Sequence, residues 1–193
     1  MPNHVTSRIQ TRKGIIDQCI SDNEGSPFFD FAKVIPVPSA LFTENVSSEL
    51  VGRAKLAMGY ADLENKMKAA QKGGLLDGMQ ASSLIREAST PINKDRFKEK
   101  EIESFLLLCK SLCETGYAYW YDWNVENWGT KWGAYDFERV SDTEIKFQTA
   151  WSAPHKIIEA ISKNMLPEGV GLRHQWADED TGHNVGSRIY KGS

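Results

Sequence analysis

The spacing of apolar residues changes from one segment of the chain to the next. In residues 4–12 apolar and polar positions alternate, which is typical of a half-buried strand. Residues 14–22 have the spacing of a short amphipathic helix. Residues 28–35 are aromatic and β-branched and precede Pro36, which cannot donate to a strand ladder, so they predict a second strand. Strand, helix and strand in this order begin a split β-α-β unit.

The C-terminal part of the sequence predicts a hairpin, a helix and a second hairpin. Two strands, 135–140 and 144–151, flank a short polar turn. Residues 154–164 carry isoleucines at helical spacing, and residues 170–191 read as strand, acidic turn and strand. The predicted fold class is therefore α+β: a ferredoxin-like β-α-β-β-α-β antiparallel sheet with a helical insertion after the second strand and an extra C-terminal hairpin. The helices at 14–22 and 154–164 are expected on one face, because both isoleucine stripes need a surface to bury against.

The segment 46–115 differs from both flanks in composition. It is rich in Ala, Lys, Glu, Leu and Met, and it predicts helices up to about residue 71, over about 75–88 and over about 93–113. The last helix is expected to bury one face, made of Ile102, Phe105, Leu106, Cys109, Leu112 and Cys113. The predicted domains are thus a ferredoxin-like domain (1–45 and 116–193) and a helical insertion (46–115).

Charge and composition narrow the classes of function. The formal net charge is −3, and division of the chain after residues 45 and 115 gives −1, +1 and −3. No part carries the positive field that general nucleic-acid binding requires. No apolar run reaches the ~18 residues of a membrane span, and the first residues lack a signal-peptide core, so we expect a cytoplasmic protein without membrane contact. Three cysteines without a CxxC pattern argue against a disulfide framework or structural zinc.

Three phrases are specific enough to indicate a family. They are DFAKVIPVPSAL (30–41), NWGTKWGAYD (127–136) and FQTAWSAP (147–154). Together with the Met-Pro-Asn start, they resemble the YubB-type family of ferredoxin-like proteins, which plasmids and phages carry. The resemblance implies a fold and a mobile-element origin, with the bacterial host cytoplasm as the location, and it implies no reaction. Ala153 stands where the family pattern often has a proline.

Motifs that carry common catalytic or cofactor chemistry are not found. GxSxG, GxxxxGK[ST] and GxGxxG are all missing from the sequence, and no cofactor is predicted. Glu126 beside Asn127 and Lys131 suggests an acid–base pair, but the sequence places no second acid there. No catalytic residue is therefore predicted.

A cluster of possible metal ligands lies near the C-terminus. Its members are His174, Asp178, Glu179, Asp180 and His183. Their spacing is not that of a known metal site, and an acidic turn with two exposed histidines explains it more simply. No metal site is predicted.

The aromatic-rich stretch 117–137 is the better candidate for a site. Polar residues alternate there with tryptophans around a glycine, a combination that can stack a planar ring and hold an anion beside it. The predicted ligand-binding residues are Asn127, Trp128, Thr130, Lys131, Trp132 and Trp151. Two alternatives remain open: Trp120, Trp123 and Trp151 pack the insertion onto the sheet, and Asn127 and Thr130 satisfy the backbone of their own loop.

The functional hypothesis is a non-catalytic accessory protein of a phage or plasmid. Its partner would be a small nucleotide-like ligand or a host protein, with counter-defence as a candidate role. One alternative is a nucleotide-acting enzyme that uses Glu126 or the C-terminal histidines His174 and His183. Another is a purely structural or protein-interaction module that uses the helical insertion as its contact surface. The sequence leaves the oligomeric state open.

Overall fold

The computed structural model describes residues 3–55, 57–59, 99–179 and 184–192. The elements in chain order are β1 (His4–Gln10), α1 (Lys13–Gln18), β2 (Ile20–Asn23), β3 (Ser26–Phe29), α2 (Phe31–Val34), α3 (Glu99–Thr115), α4 (Trp120–Asn127), β4 (Tyr135–Ser141), β5 (Glu144–Ala150), α5 (His155–Asn164), β6 (Gly171–Asp178) and β7 (Gly186–Lys191). Residues 48–55 and 57–59 are also helical. The helix predicted over about 75–88 lies outside the described residues.

Five strands form one antiparallel sheet in the order β4-β5-β1-β6-β7. The succession β1, α1, β4, β5, α5 and β6 is the β-α-β-β-α-β order of a ferredoxin-like fold, and β7 extends the sheet as the outer strand of the C-terminal hairpin. The α+β, ferredoxin-like fold class is thus confirmed. Each of the four strand pairs joins residues in antiparallel register, with β1 at the centre.

The two isoleucine-bearing helices cover the same face of the sheet. Alternate residues of β1 are buried, and Ile9 pairs with Ile145 on one side and His174 on the other. Ile15 and Ile16 of α1 line the same internal space as Ile161 of α5. The sheet contributes Ile9, Ile145 and Leu172 to that space. The prediction that both helices lie on one face is correct.

The predicted strand at 28–35 is wrong, and so is the predicted C-terminal end of the first helix. The segment 28–35 lies outside the main sheet: β3 pairs only with β2 in a separate two-stranded sheet, and α2 follows at once. Asp30 begins α2 because its carboxylate accepts the Ala32 N–H at 2.9 Å. The helix predicted to reach residue 22 ends at Gln18. The second strand of the main sheet is therefore β4, and the insertion precedes it.

A bulge in β4 changes which face its first residue occupies. Tyr135 pairs with Gln148 and Glu138 pairs with Lys146, so three steps along β4 match two steps along β5. One residue is extra, and Asp136 has the left-handed backbone angle φ 47° at this point. Tyr135 consequently lies on the face opposite the helices, together with His4.

The contacts divide the chain into two compact units, Met1–Val37 with Tyr121–Ser193, and Pro38–Trp120. In the second unit, the core cluster consists of Phe42, Leu50, Val51, Ala54, Leu108 and Ala118. Among the described residues, no helix is both long and apolar enough to cross a membrane. The separability of the segment 46–115 stays a prediction.

The face that α3 buries differs from the predicted one. Ser104, Leu108 and Ser111 are buried, whereas Leu106 and Cys113 are exposed. Phe105, Cys109 and Leu112 flank the buried face. Ser111 is buried because its hydroxyl accepts the Phe42 N–H at 3.1 Å and donates to the Tyr117 carbonyl at 2.8 Å. The pattern of apolar residues in the sequence cannot reveal a buried serine whose hydroxyl has hydrogen-bond partners within the fold.

Replacing 46–115 by a short linker is expected to leave a folded but less stable ferredoxin-like unit. The five-stranded sheet and its two helices draw their strands and buried residues from outside this segment. Far-ultraviolet circular dichroism with urea unfolding measures this outcome. A shortened protein without cooperative unfolding would show that the insertion belongs to the same core.

One histidine, His174, lies in the core of the sheet, and the half-buried His155 of α5 lies beside it. His174 is fully buried, and its Nε2 lies 3.1 Å from the Ser7 hydroxyl, while its Nδ1 has no hydrogen-bond partner in the part of the chain that the structure describes. The His155 ring lies 5.5 Å from the His174 ring, centroid to centroid. Burial, and then the nearby His155, lower the pKa of His174 to about 3. Burial also lowers the pKa of His155.

The neutral state of His174 predicts a loss of stability in acid. At pH values between the ordinary histidine pKa of about 6.5 and the native pKa of about 3, His174 is protonated in the unfolded chain and neutral in the native protein. The free energy of unfolding should therefore fall as the pH falls through this window, by up to about 1.4 kcal/mol per pH unit from this residue. Urea unfolding between pH 7 and pH 4 measures the slope.

His174→Gln is the matched variant for that measurement. An amide can still reach the Ser7 hydroxyl but does not titrate, so the variant should lose stability less steeply on acidification. Equal slopes for the variant and the parent protein would contradict the assignment.

Candidate functional site

The helix α4 sets the position of the predicted binding loop, and the sequence did not predict this helix. Trp123 and Asn124 of α4 are buried. The N–H groups of Trp128 and Gly129 both donate to the Asn124 carbonyl, at 2.8 and 3.1 Å. Gly129 has φ +78°, which an L side chain rarely adopts, so it ends the helix and turns the chain. The loop therefore starts from a fixed helix end.

The polar side chains of this loop are mostly engaged with its backbone. Asn127 donates to the Trp123 carbonyl at 2.9 Å, and Thr130 donates to the Trp132 carbonyl at 2.8 Å. Thr130 is 1% exposed. Asn124 donates to the Lys131 carbonyl at 3.0 Å. Asn127 and Thr130 thus make the hydrogen bonds to their own loop's backbone that one of the two alternatives from the sequence describes.

Trp128 is a packing residue in this arrangement. Its indole N–H donates to the Ile35 carbonyl at 3.1 Å. Its ring packs edge-on against Phe31 and Trp123, at centroid distances of 5.6 and 5.4 Å. Since Trp128 is buried, it fixes the loop rather than presenting a surface to a ligand.

Lys131, Trp132 and Trp151 are brought together at the surface. The Lys131 ammonium lies 4.6 Å from the Trp132 ring centroid and 4.8 Å from the Trp151 ring centroid. Among the described residues, no carboxylate forms an ion pair with Lys131. A cation between two indole rings is attracted to both ring faces and keeps hydrogen-bond capacity for an anion. We call these three residues the cation–indole cluster.

The backbone of Trp151 is in an unusual conformation. Its φ is 73°, although it is a bulky residue, and its side chain remains 46% exposed. The Trp151 N–H donates to the Asn3 carbonyl at 2.8 Å, and the ring meets Tyr121 edge-on at 6.0 Å. Strain at an exposed aromatic residue is typical of functional positions.

A hollow of about 420 Å³ opens beside the cation–indole cluster. Its lining residues are His4, Trp132, Gly133, Ala134 and Tyr135. This volume is within the range of small-molecule sites in proteins, about 300–1,000 Å³. Trp132 belongs both to the hollow and to the cluster, so a molecule in the hollow would contact a ring that also carries the Lys131 ammonium.

Two residues at the wall of the hollow, His4 and Tyr135, are hydrogen-bonded to each other. The His4 Nδ1 atom lies 2.6 Å from the Tyr135 hydroxyl, and the His4 Nε2 atom lies 3.3 Å from the Glu179 carboxylate in a contact that is not a hydrogen bond. Glu179 also accepts the His4 backbone N–H at 2.8 Å. Burial raises the pKa of Tyr135, and the Asp136 and Glu179 carboxylates raise it further.

Sequence reasoning missed His4, Tyr135 and this role of Glu179. Tyr135 stands in the specific phrase NWGTKWGAYD and so had a signal. His4 had no such signal, because its partners Tyr135 and Glu179 follow it in the sequence at separations of 131 and 175 positions.

Of the residues considered for catalysis or metal binding, Glu179 contacts His4, whereas Glu126 and His174 do not line the hollow. The Glu126 carboxylate is 3.4 Å from the Lys156 ammonium in an ion pair. His174 is enclosed in the core beside Ser7. Asp180 and His183 are outside the described residues, and within the described part no group of three or more His, Cys, Asp or Glu is arranged to hold a metal ion.

Comparison with known families gives a match for the C-terminal part of the chain. Residues 127–193 match a family model described as a ferredoxin-like domain in Api92-like protein. The matched segment starts at Asn127 and contains the cation–indole cluster, β4, β5, α5, β6 and β7. No curated protein and no solved structure matches the chain. This part of the chain is therefore similar to a ferredoxin-like domain, in agreement with the sheet order.

The backbone conformation of Trp151 predicts an inverted order of two variants. Trp151→Ala and Trp151→Gly remove the same ring contacts, but only glycine adopts φ 73° without a steric penalty. We expect the glycine variant to have the higher free energy of unfolding, by about 1 kcal/mol, against the usual preference for alanine. Urea unfolding of the two variants measures the difference, and a more stable alanine variant would contradict the strain.

Proposed function

We propose that this protein is a non-catalytic binding protein for a small nucleotide-like ligand, held at the cation–indole cluster and the adjacent hollow. The observation that carries the proposal is the Lys131 ammonium between the Trp132 and Trp151 rings. Of the six residues expected from the sequence, these three combine a charge, ring surface and access to solvent.

The chemistry of the cluster favours a ligand with a planar ring and an anionic group. An exposed indole offers a face on which a planar ring stacks, and a lysine ammonium supplies a charge-assisted hydrogen bond to a phosphate or carboxylate. The hollow of about 420 Å³ is large enough for a heterocyclic base with part of a sugar. A single cation limits the contact to a small anion, which agrees with the low charge of the chain.

The enzyme alternative has lost support from two of its candidate residues. It rested on Glu126 or the C-terminal histidines, but Glu126 pairs with Lys156, and His174 is buried without access to the hollow. A stacking surface beside a lone cation supports binding more directly than it supports a reaction.

The resemblance to the YubB-type family supplies the setting of the proposal. In an accessory protein of a phage or plasmid, sequestration of a nucleotide-like signal in the host cytoplasm would act as counter-defence. Binding of a host protein would serve the same end. In the second compact unit, Leu106 is 62% exposed on α3, which gives the protein-interaction alternative one specific observation.

Lys131→Ala is expected to weaken nucleotide binding by about 10- to 150-fold. Loss of a charge-assisted contact costs about 1.5–3 kcal/mol, and this range converts to that change in Kd. Isothermal titration calorimetry with a panel of ribonucleoside monophosphates measures the effect. Recovery of the unchanged nucleotide after incubation separates binding from turnover.

Lys163→Ala is the matched control. Lys163 is an exposed lysine in the last turn of α5, so this variant removes the same charge outside the cluster and the hollow. It should bind as the parent protein does. The proposal is wrong if the folded parent protein binds no nucleotide, or if the two lysine variants bind equally.

A further inference from the structure

Two cysteines lie one turn apart on α3, and both are free thiols. Cys109 is partly buried against the core cluster of the second compact unit, whereas Cys113 is exposed. Residues four positions apart on a helix are neighbours on its surface, with about 5–6 Å between their Cβ atoms. Both thiols therefore lie on one stripe of α3, beside the buried face that includes Leu108.

A third sulfur atom comes from a different helical segment. Met58 lies in the helical residues 57–59, and its Sδ atom is 4.0 Å from the Cys113 Sγ atom. Ala54, one helical turn before Met58, is fully buried in the same core cluster as Leu108 of α3. The core of the second unit thus holds the segment that carries the thioether beside the helix that carries the two thiols.

The separation of these sulfur atoms suits ligands of one metal ion. A bond between a metal ion and a cysteine sulfur is about 2.3 Å long, so two sulfur ligands at 120° around one ion are about 4.0 Å apart. The distance between Cys113 Sγ and Met58 Sδ has this value, 4.0 Å. Cysteines with the helical spacing of Cys109 and Cys113 can bring their sulfur atoms equally close by side-chain rotation alone.

The ligand set determines the class of ion. Thiolate and thioether sulfur are soft ligands, typical of Cu(I), zinc and iron–sulfur sites and unsuited to Mg²⁺ or Ca²⁺. Structural zinc and iron–sulfur sites need four ligands. Within the ranges that the structure describes, no group of three or more His, Cys, Asp or Glu could supply such a set. Two thiolates and one thioether instead fit a soft monovalent ion of low coordination number.

We infer that Cys109, Cys113 and Met58 form a trigonal binding site for Cu(I). On binding, each thiol gives its proton to the solvent, and the ion bonds to two thiolates and one thioether without a change of oxidation state. The inference goes beyond the proposed function, because these residues belong to the second compact unit and the cation–indole cluster belongs to the first. Either one can fail without the other.

Cu(I) binding to the full chain under nitrogen tests the inference. Cu(I) is added as its acetonitrile complex, and the coloured Cu(I) chelator bicinchoninate competes with the protein for it. We expect one Cu(I) per chain. Met58→Leu keeps the apolar volume and should weaken binding by at least about 10-fold, since loss of even an outer-shell partner of a metal site costs this much. Cys113→Ser, which removes a charged ligand, should weaken it further.

Cys19 and Met165 provide the matched control. Their sulfur atoms are 3.8 Å apart, but they lie in the first compact unit, and Cys19 is buried in its core. Met165→Leu removes the same thioether as Met58→Leu and should leave the affinity for Cu(I) unchanged. Far-ultraviolet circular dichroism of each variant shows that the helices are intact.

X-ray absorption spectroscopy of the copper complex counts the sulfur neighbours of the ion. We expect three in the parent protein and two in Met58→Leu. Two neighbours in the parent, or equal affinities of Met58→Leu and Met165→Leu, would overturn the trigonal site. The absence of a one-to-one Cu(I) complex in the folded parent protein would overturn it as well.

Discussion

The structure depends above all on the pairing of β1 with strands on both of its sides. Val5 pairs with Thr149 on β5 and with Asp178 on β6, and this double register buries Val5, Ser7 and Ile9 beneath the two helices. The same register puts His4 on the other face, where it reaches Tyr135 and Glu179. One strand therefore organises both the core and the candidate site.

The sequence predicted those parts of the fold in which local pattern and tertiary environment agree. The alternation in 4–12 and the isoleucines of 154–164 are such cases, since each segment buries the face that its pattern indicates. The prediction of a strand over 28–35 failed because Asp30 caps a helical turn between two runs of apolar residues. An apolar run of that length suits a strand or a helix, and only the cap decides.

The candidate site was predictable only in part, for a related reason. The cation–indole cluster comes from one phrase and from the end of the adjacent strand, so local sequence was enough to place it. The roles of Asn127 and Thr130 depend on distances to backbone carbonyls within a loop, which no spacing of letters encodes. The hydrogen bonds of His4 to Glu179 and to Tyr135 join three segments that are distant in the sequence. The bulge that puts Tyr135 on the same face of the sheet as His4 cannot be recognised from the composition.

The central position of β1 has a consequence for the synthesis of the chain. The hydrogen bond between Ser7 and His174 joins residues that are 167 positions apart, and the segment between them includes the whole second unit. During translation at about 5–20 residues per second, β1 is made early and stays without either neighbour for about 7–27 seconds, until β5 follows. Contacts of such long range also make folding slow once the chain is complete. In the cell, an early strand with alternating apolar residues is then exposed to chaperones and to wrong partners, and β1 becomes the place where misfolding of this protein would begin.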